Sequence, residues 1–413
     1  MLERCGDTTG QAQHAHVGPL ATHADVFTVF LEQEGYAPTT VREKRQLLDD
    51  LSRWLKRRKL HPANLDVQRF QLFLRSRARR HRTRRVDAAT CRQLVGFLRR
   101  LGCVPTAVEE IDTTALGRIE QDFARFLSAE RGLKPVTIIT AYLRTVRCLL
   151  LQRFGEDEFR LDTLCLQDIN RFILDRARQV RRRYAQSMVT ALRSFLRYLQ
   201  QRGAITADIA AAVPGVANWR LSHLPKALTP AQVERLLRCC DRNTPMGQRD
   251  YAILLLLARL GLRGGELVAM TLDDLDWEAG EFIVRGKGDR LERLPLPRDV
   301  GAALAHYLRY VRPPCSIRRV FIRMKAPHCG FSGAAAICDV VRRALWRAEL
   351  DPEFKGAHLL RHSLATNMLR RGASLEQIGQ LLRHRQANTT QIYAKVDIEA
   401  LRGISVPWPG AAS

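Results

Sequence analysis

Phe30-Leu31, Gly35, Pro38 and Thr40 recur further along this chain as Phe126-Leu127, Gly132, Pro135 and Thr137. That match constrains the fold before composition is considered. Asp66-Val67-Gln68-Arg69-Phe70 is echoed by Asp168-Ile169-Asn170-Arg171-Phe172. Arg77-Ala78-Arg79 is echoed by Arg176-Ala177-Arg178, and Phe97-Leu98-Arg99 by Phe195-Leu196-Arg197. The offsets drift between 96 and 102 residues, as small insertions produce. A tandem duplication is expected; the plainer alternative is two unrelated helical stretches of similar composition. Both copies read as helices. Met188, Leu192, Phe195, Leu196 and Leu199 recur at helical spacing, with Gly203 as a C-terminal stop. Leu94, Val95, Leu98 and Leu101 with Gly102 repeat that pattern.

Each copy carries an arginine run between its middle and last helices. The first holds Arg75, Arg77, Arg79, Arg80, Arg82, Arg84 and Arg85; the second holds Arg176, Arg178, Arg181, Arg182 and Arg183. A charge run is most often a solvated face. These are dense and of one sign, so they repel themselves unless an anion neutralises them. The whole chain leans the same way: 67 Lys plus Arg against 42 Asp plus Glu leave a formal charge of +25. The excess points to a polyanion, nucleic acid first. Arginine grips phosphate through two hydrogen bonds. A GC-rich genome favours arginine codons, but it does not account for the net excess.

The chain's 413 residues exceed one ordinary core, so two or three domains are expected. Its ten cysteines include no C-x-x-C pair, which argues against zinc and against a disulfide framework. Met1 to Leu20 has no apolar signal region, and the longest apolar run, Tyr251 to Ala258, is too short for a bilayer. A reducing, cytoplasmic setting is expected. Val213-Pro214-Gly215 and the stretch through Pro225 read as a linker, after which Thr229-Pro230 opens a helix. Beyond it the spacing predicts helix through Tyr251 to Met270. Short strands at Phe282-Ile283-Val284 and Arg290 to Leu296 follow, around a turn at Gly286-Lys287-Gly288-Asp289. From Ala334 onward helix is expected. Asp273, Asp274, Asp276, Glu278 and Glu281 form an acidic cluster that reads as caps and turns rather than as a metal site.

Five segments in the last third carry chemistry. They are Gly261-Leu262-Arg263-Gly264-Gly265-Glu266-Leu267, Arg285-Gly286-Lys287-Gly288, His358-Leu359-Leu360-Arg361-His362, Leu381-Leu382-Arg383-His384-Arg385 and Thr389-Thr390-Gln391-Ile392-Tyr393. When a nucleophile attacks a phosphodiester, negative charge builds on the non-bridging oxygens and the leaving oxygen, and fixed donors stabilise it. Arg263 and Arg361 are such donors. A leaving alkoxide needs a proton, which a lysine such as Lys287 can supply. His358 and Arg361 share one helix face, and His358 is placed to accept the tyrosine proton or bind phosphate. His384 would donate to a non-bridging oxygen. His362 reads as a packed neighbour of the site, and His328 as structural. Tyr393, with an ordinary pKa of about 10, is a weak nucleophile until a base and nearby cations help it. Ser374 with Gln377 reads as a capping box, and Thr389 or Thr390 as the cap of the next helix.

Together, over roughly residues 229 to 396, these segments resemble the catalytic domain of the tyrosine recombinase (phage integrase) family. The second helical copy resembles the core-binding domain that precedes that domain, and the first is similar to an additional copy, as in mobile-element members. The resemblance implies a mainly α fold with a small β-hairpin or sheet. It implies a tail at 1–20, helical domains at 21–108 and 109–215, a linker at 216–228 and the catalytic domain at 229–413. The implied catalytic set is Arg263, Lys287, His358, Arg361, His384 and the nucleophile Tyr393, acting without metal, cofactor or ATP through a 3′-phosphotyrosine. The implied partners are double-stranded DNA, further copies of the chain in a tetrameric synapse, and sister recombinases. A C-terminal segment after Tyr393 could dock on a neighbour through Trp408. Two positions depart from the family pattern. Arg383 stands where a glycine usually precedes the histidine, which changes the turn or adds a phosphate contact. Gly264-Gly265 replaces a bulkier pair and is expected to loosen its turn. A type IB topoisomerase and a non-catalytic DNA-binding accessory are the competing readings.

Overall fold

The computed structural model describes residues 18–79, 87–105, 112–156, 158–180, 182–216, 227–286, 290–384 and 389–396. Lys287, Arg80, Arg82, Arg84, Arg85, Arg181 and Trp408 therefore lie outside the described residues, as does the side chain of Arg183. The chain divides into two compact units. One is Ala107–Arg220; the other joins Met1–Thr106 to Leu221–Ser413. None of the described helices is long and apolar enough to cross a membrane.

The first helical block comprises α1 (Ala24–Gln33), α2 (Pro38–Arg57), α3 (Val67–Ala78) and α4 (Asp87–Arg100). The second comprises α5 (Ala115–Ala129), α6 (Pro135–Thr137), α7 (Arg144–Phe154), α8 (Leu166–Ala177), α9 (Arg182–Gln201) and the short α10 (Ile209–Ala212). A π-helical stretch, Ile138–Leu143, joins α6 to α7, so α6 and α7 together take the place of α2. Pro38 and Pro135 sit at helix starts, where the missing N–H costs nothing. Before each, a left-handed glycine closes the preceding helix: Gly35 at φ +82° and Gly132 at φ +57°. Tyr36 N–H donates back to Leu31 C=O at 3.1 Å, and Leu133 N–H to Leu127 C=O at 3.2 Å.

The two blocks thus share element order and turn chemistry, but part of the sequence match is one helical turn out of register. Asp66 caps α3 and Cys165 caps α8, which sets Phe73 opposite Phe172 rather than Phe70. At the end of the last helix, Cys103 N–H reaches Leu98 C=O and Ala204 N–H reaches Leu199 C=O, both at 2.9 Å. That pairs Phe97 with Tyr198 instead of Phe195. The aromatic contacts agree. Phe97 lies 5.0 and 5.2 Å from Phe27 and Phe30, and Tyr198 lies 5.3 and 5.1 Å from Phe123 and Phe126. An apolar stripe repeats about every turn of helix, so a one-turn slip preserves the hydrophobic match. Each block closes its own core around these rings. A fully buried phenylalanine contributes about 1.5–3 kcal/mol.

The remaining block holds α11 (Pro230–Arg238), α12 (Pro245–Leu260), α13 (Gly264–Ala269), α14 (Arg298–His306), α15 (Ala334–Arg347), α16 (Ala357–Arg370) and α17 (Leu375–Leu381). Thr229 caps α11 in a capping box with Gln232, and Ser374 caps α17 with Gln377. A three-stranded antiparallel sheet, β1 (Leu275–Asp276), β2 (Glu281–Arg285) and β3 (Leu291–Pro295), runs in the order β1-β2-β3. Arg285 opposes Leu291 across the hairpin. The single helix expected over Tyr251 to Met270 is two. Gly261, at φ +59°, ends α12, and α13 restarts at Gly264. The acidic cluster works as turn and ion-pair chemistry. Asp274 accepts from Thr271 N–H and from Arg285, Asp276 accepts from Ala279 N–H, and Asp273 pairs with Arg318.

The first helical block docks on this third block within one unit. Glu34 C=O accepts from His328 N–H at 2.9 Å, and a Cβ at Gly35 would fall 2.1 Å from the His328 imidazole. His328 is thus the residue on which the α1–α2 turn rests.

Candidate active site

The break after α12 makes the site. Gly261 is favoured on two counts: its φ is left-handed, and a Cβ there would displace the Leu382 Cδ2 methyl, 2.7 Å away. Ending α12 there frees the Gly261 carbonyl and turns Arg263 into the N-cap of α13. Arg263 N–H donates to Glu266 Oε2 at 2.8 Å, and its Nη1 to Glu266 Oε1 at 2.7 Å. The glycine pair does not loosen this turn, because the buried Glu266 carboxylate holds it from both ends. The Arg263 side chain stays 37% exposed, so part of its guanidinium faces solvent.

Arg361, in α16, is buried. It donates through Nη1 to Gly261 C=O at 2.5 Å and through Nη2 to Leu382 C=O. One side chain therefore ties the end of α12 to the end of α17. Burial, with Arg263 and Arg383 adding repulsion, holds its pKa down to about 10, so it remains charged at neutral pH. The next residue of the α17 turn, Arg383, has φ +55°. That conformation costs a non-glycine residue about 1–2 kcal/mol. Its C=O accepts from Arg263 Nη2 at 3.3 Å. The clamp arginines thus bind successive carbonyls of one turn, and His384 follows directly.

Tyr393 lies on a 3₁₀ turn, Gln391–Val396, not on an α-helix. Thr390 stands at the start of that turn, its C=O accepting from Tyr393 N–H at 3.0 Å, and its Oγ1 shares a 2.7 Å hydrogen bond with His384 Nδ1. The Tyr393 ring is buried among Ala365, Leu369, Ile378 and Leu382. Its hydroxyl bonds His362 Nδ1 at 2.8 Å. Of the two roles expected for His358, the place beside the tyrosine hydroxyl is held by His362, while His358 is exposed at the start of α16, its ring 6.4 Å from that of His362. Positions 358 and 362 are four apart and share a helix face. The site returns to the deeper of the two.

Burial pushes the Tyr393 hydroxyl up to about 12, with Arg361 pulling the other way. Burial first, then His358 and Arg361, pushes His362 down to about 4. His384 is likewise held at about 4 by burial and the neighbouring arginines. At neutral pH His362 is therefore an uncharged imidazole, and its Nε2–H tautomer accepts the tyrosine's hydrogen bond at Nδ1.

The structure brings Arg263, Arg361, His384 and Tyr393 together around the 382–384 turn. His358 stands on the same helix, and Lys287 falls in the hairpin turn outside the described residues. Sequence reasoning gave His362 only a packing part and Arg383 only a change of turn or a phosphate contact, and it missed Glu266. Glu266, three residues past the N-cap, fits a capping-box pattern that could have revealed it. Of the arginine runs, Arg75, Arg79, Arg178 and Arg182 are exposed. Arg176 is half-buried over the Phe172 ring. Arg77 is corrected: Asp50 at 3.1 Å and Asp87 at 2.5 Å hold it inward, between α2 and α4.

This combination of a helical fold, a small antiparallel sheet and a tyrosine set among two arginines and histidines defines a class, and comparison with known proteins identifies it. The sequence profile of the phage integrase family matches residues 226–399. The protein y4rA of Sinorhizobium fredii (strain NBRC 101917 / NGR234), classed among the integrase/recombinases, is 43% identical over 396 residues, 96% of each chain. Tyrosine recombinase XerD of Listeria monocytogenes serotype 4b (strain F2365) is 34% identical over 293 residues, 67% of this chain and 93% of that one. In fold, the chain resembles the XerH site-specific recombinase solved bound to a palindromic difH substrate. The TM-score is 0.56 at 20% identity, over 69% of this chain and 83% of that one. The chain belongs to the phage integrase family of tyrosine recombinases and is a site-specific recombinase.

Proposed function

We propose that this recombinase breaks and rejoins duplex DNA through a 3′-phosphotyrosine, without metal, cofactor or ATP. One observation carries the reading: the Tyr393 hydroxyl is hydrogen-bonded to the His362 imidazole, beside two arginines anchored on one turn. Tyr393 Oη attacks phosphorus; the Oη–P bond forms and the bond to the 5′ oxygen breaks. The tyrosine proton passes to His362, and Lys287 protonates the leaving 5′ oxygen. Arg263, Arg361, His358 and His384 take up the charge on the non-bridging oxygens. The covalent link conserves the bond's energy, so the free 5′ hydroxyl rejoins by the reverse path. Four protomers would pair two sites on cytoplasmic DNA through cyclic head-to-tail contacts, with sister recombinases as further partners. The expected result is covalent adduct on a nicked suicide substrate in EDTA and without ATP. A strict magnesium requirement for cleavage would overturn the metal-free mechanism.

The first helical block, on this reading, adds phosphate contacts through Arg75 and Arg79, as Arg176, Arg178 and Arg182 do in the second. Arg80, Arg82, Arg84, Arg85, Arg181 and Arg183 belong to the same proposed surface; Arg77 drops out of it. Deleting residues 1–108 is expected to shorten the footprint on one flank. The salt dependence of binding should fall by about 0.9 for each phosphate that is no longer neutralised. Covalent cleavage should survive. An unchanged footprint and slope with abolished synapsis would make this block a protein-docking module instead.

A further inference from the structure

A left-handed arginine persists only where its surroundings over-determine it, and Arg383 has such surroundings. Its side chain is 5% exposed, with Nη2 on Glu266 Oε2 at 2.7 Å and Nε 3.4 Å from Glu292 Oε2. Glu266 also holds Arg263, and Arg263 donates back to the Arg383 carbonyl. The ring Arg263–Glu266–Arg383–Arg263 is closed. Glu292 lies on β3, the strand that leaves the hairpin turn of Lys287. Arg383 meets two carboxylates, whereas Arg361 meets only neutral carbonyl oxygens, so the charge of Arg383 is already balanced and that of Arg361 is left for a phosphate.

We propose that Arg383 is a positioning residue. Through Glu266 it fixes the direction in which Arg263 grips phosphate, and through Glu292 it ties that grip to the lysine hairpin. The buried Glu266 carboxylate, shared between two arginines, does not draw Arg263 fully into the wall of the site. Without Arg383, Glu266 would have Arg263 as its one guanidinium partner, and the turn carrying His384 would lose its link to β3. This inference rests on the recombinase reading.

The test compares Arg383→Gly, Arg383→Lys and Glu292→Gln in the full chain. Three measurements are made: adduct formation on a nicked suicide substrate, duplex binding and thermal unfolding. Glycine relaxes the left-handed backbone, so Arg383→Gly is expected to melt close to wild type. Its cleavage should nevertheless fall by about 10- to 100-fold, as a misplaced clamp does. Binding should change by less than about threefold, because the side chain is not a phosphate contact. Arg383→Lys should recover part of the rate. Glu292→Gln should cost less, and should add nothing on top of Arg383→Gly, in cleavage or in melting. Wild-type cleavage by Arg383→Gly would overturn the proposal, as would additive losses in the double variant. Equal losses in binding and cleavage would make Arg383 a phosphate contact and overturn it too. A wild-type protein that forms no adduct would count against the recombinase chemistry instead, while the melting of the double variant still reads the coupling.

Discussion

Tyr393→Phe is expected to bind duplex DNA with wild-type affinity and to form no covalent adduct. The substitution removes one oxygen and keeps the ring, so its packing against Ala365, Leu369, Ile378 and Leu382 survives. The cost to the fold is that of the hydrogen bond to His362, about 1 kcal/mol. The cost to chemistry is total, because the atom that becomes bonded to phosphorus is gone. Tyr393 differs in this from every other residue of the site, whose loss slows the reaction without removing a reactant. Trapping on a nicked suicide substrate, with phosphotyrosine mapping, checks it. A persistent adduct in the variant would show that another residue is the nucleophile.

Arg361→Ala and Arg263→Ala come next in size, each costing on the order of 10²-fold or more in cleavage with smaller losses in binding. Their side effects should differ. Arg361→Ala also strips donors from the Gly261 and Leu382 carbonyls, and an unpaired buried acceptor costs about 1–3 kcal/mol. That variant should melt earlier, and Arg361→Lys serves as the better-folded comparison. Arg263 is partly exposed and its carboxylate partner keeps Arg383, so Arg263→Ala should melt near wild type. Single-turnover cleavage, binding and melting curves separate these effects. Equal losses in binding and cleavage would reduce both arginines to ordinary phosphate contacts.

The five chemical segments were legible in the sequence because each is short and local, and their order identified the class. What failed was non-local. Arg77 reads as one more cation in a run, and only the approach of α2 and α4 brings Asp50 and Asp87 to it. His358 and His362 share a face of α16. Which of them meets the tyrosine depends on where the 389–396 segment returns, and no local pattern encodes that. The apolar spacing of α12 runs on through Leu262 and Leu267, so the break at Gly261 was hidden inside an unbroken stripe. The repeat was visible, but its register slipped because helical periodicity forgives a shift of one turn.

The twin turns at Gly35 and Gly132 face unequal demands. Both need a left-handed backbone, which asparagine tolerates better than most residues. At 132 no described atom lies within 4 Å of where a Cβ would sit, so backbone preference alone limits the choice of residue. At 35 the same Cβ would fall 2.1 Å from the His328 ring, so asparagine or any other side chain there also requires that ring to move. Mutational drift is therefore freer in the second copy of this turn than in the first, although the first belongs to the block that lies farther along the sequence from Tyr393.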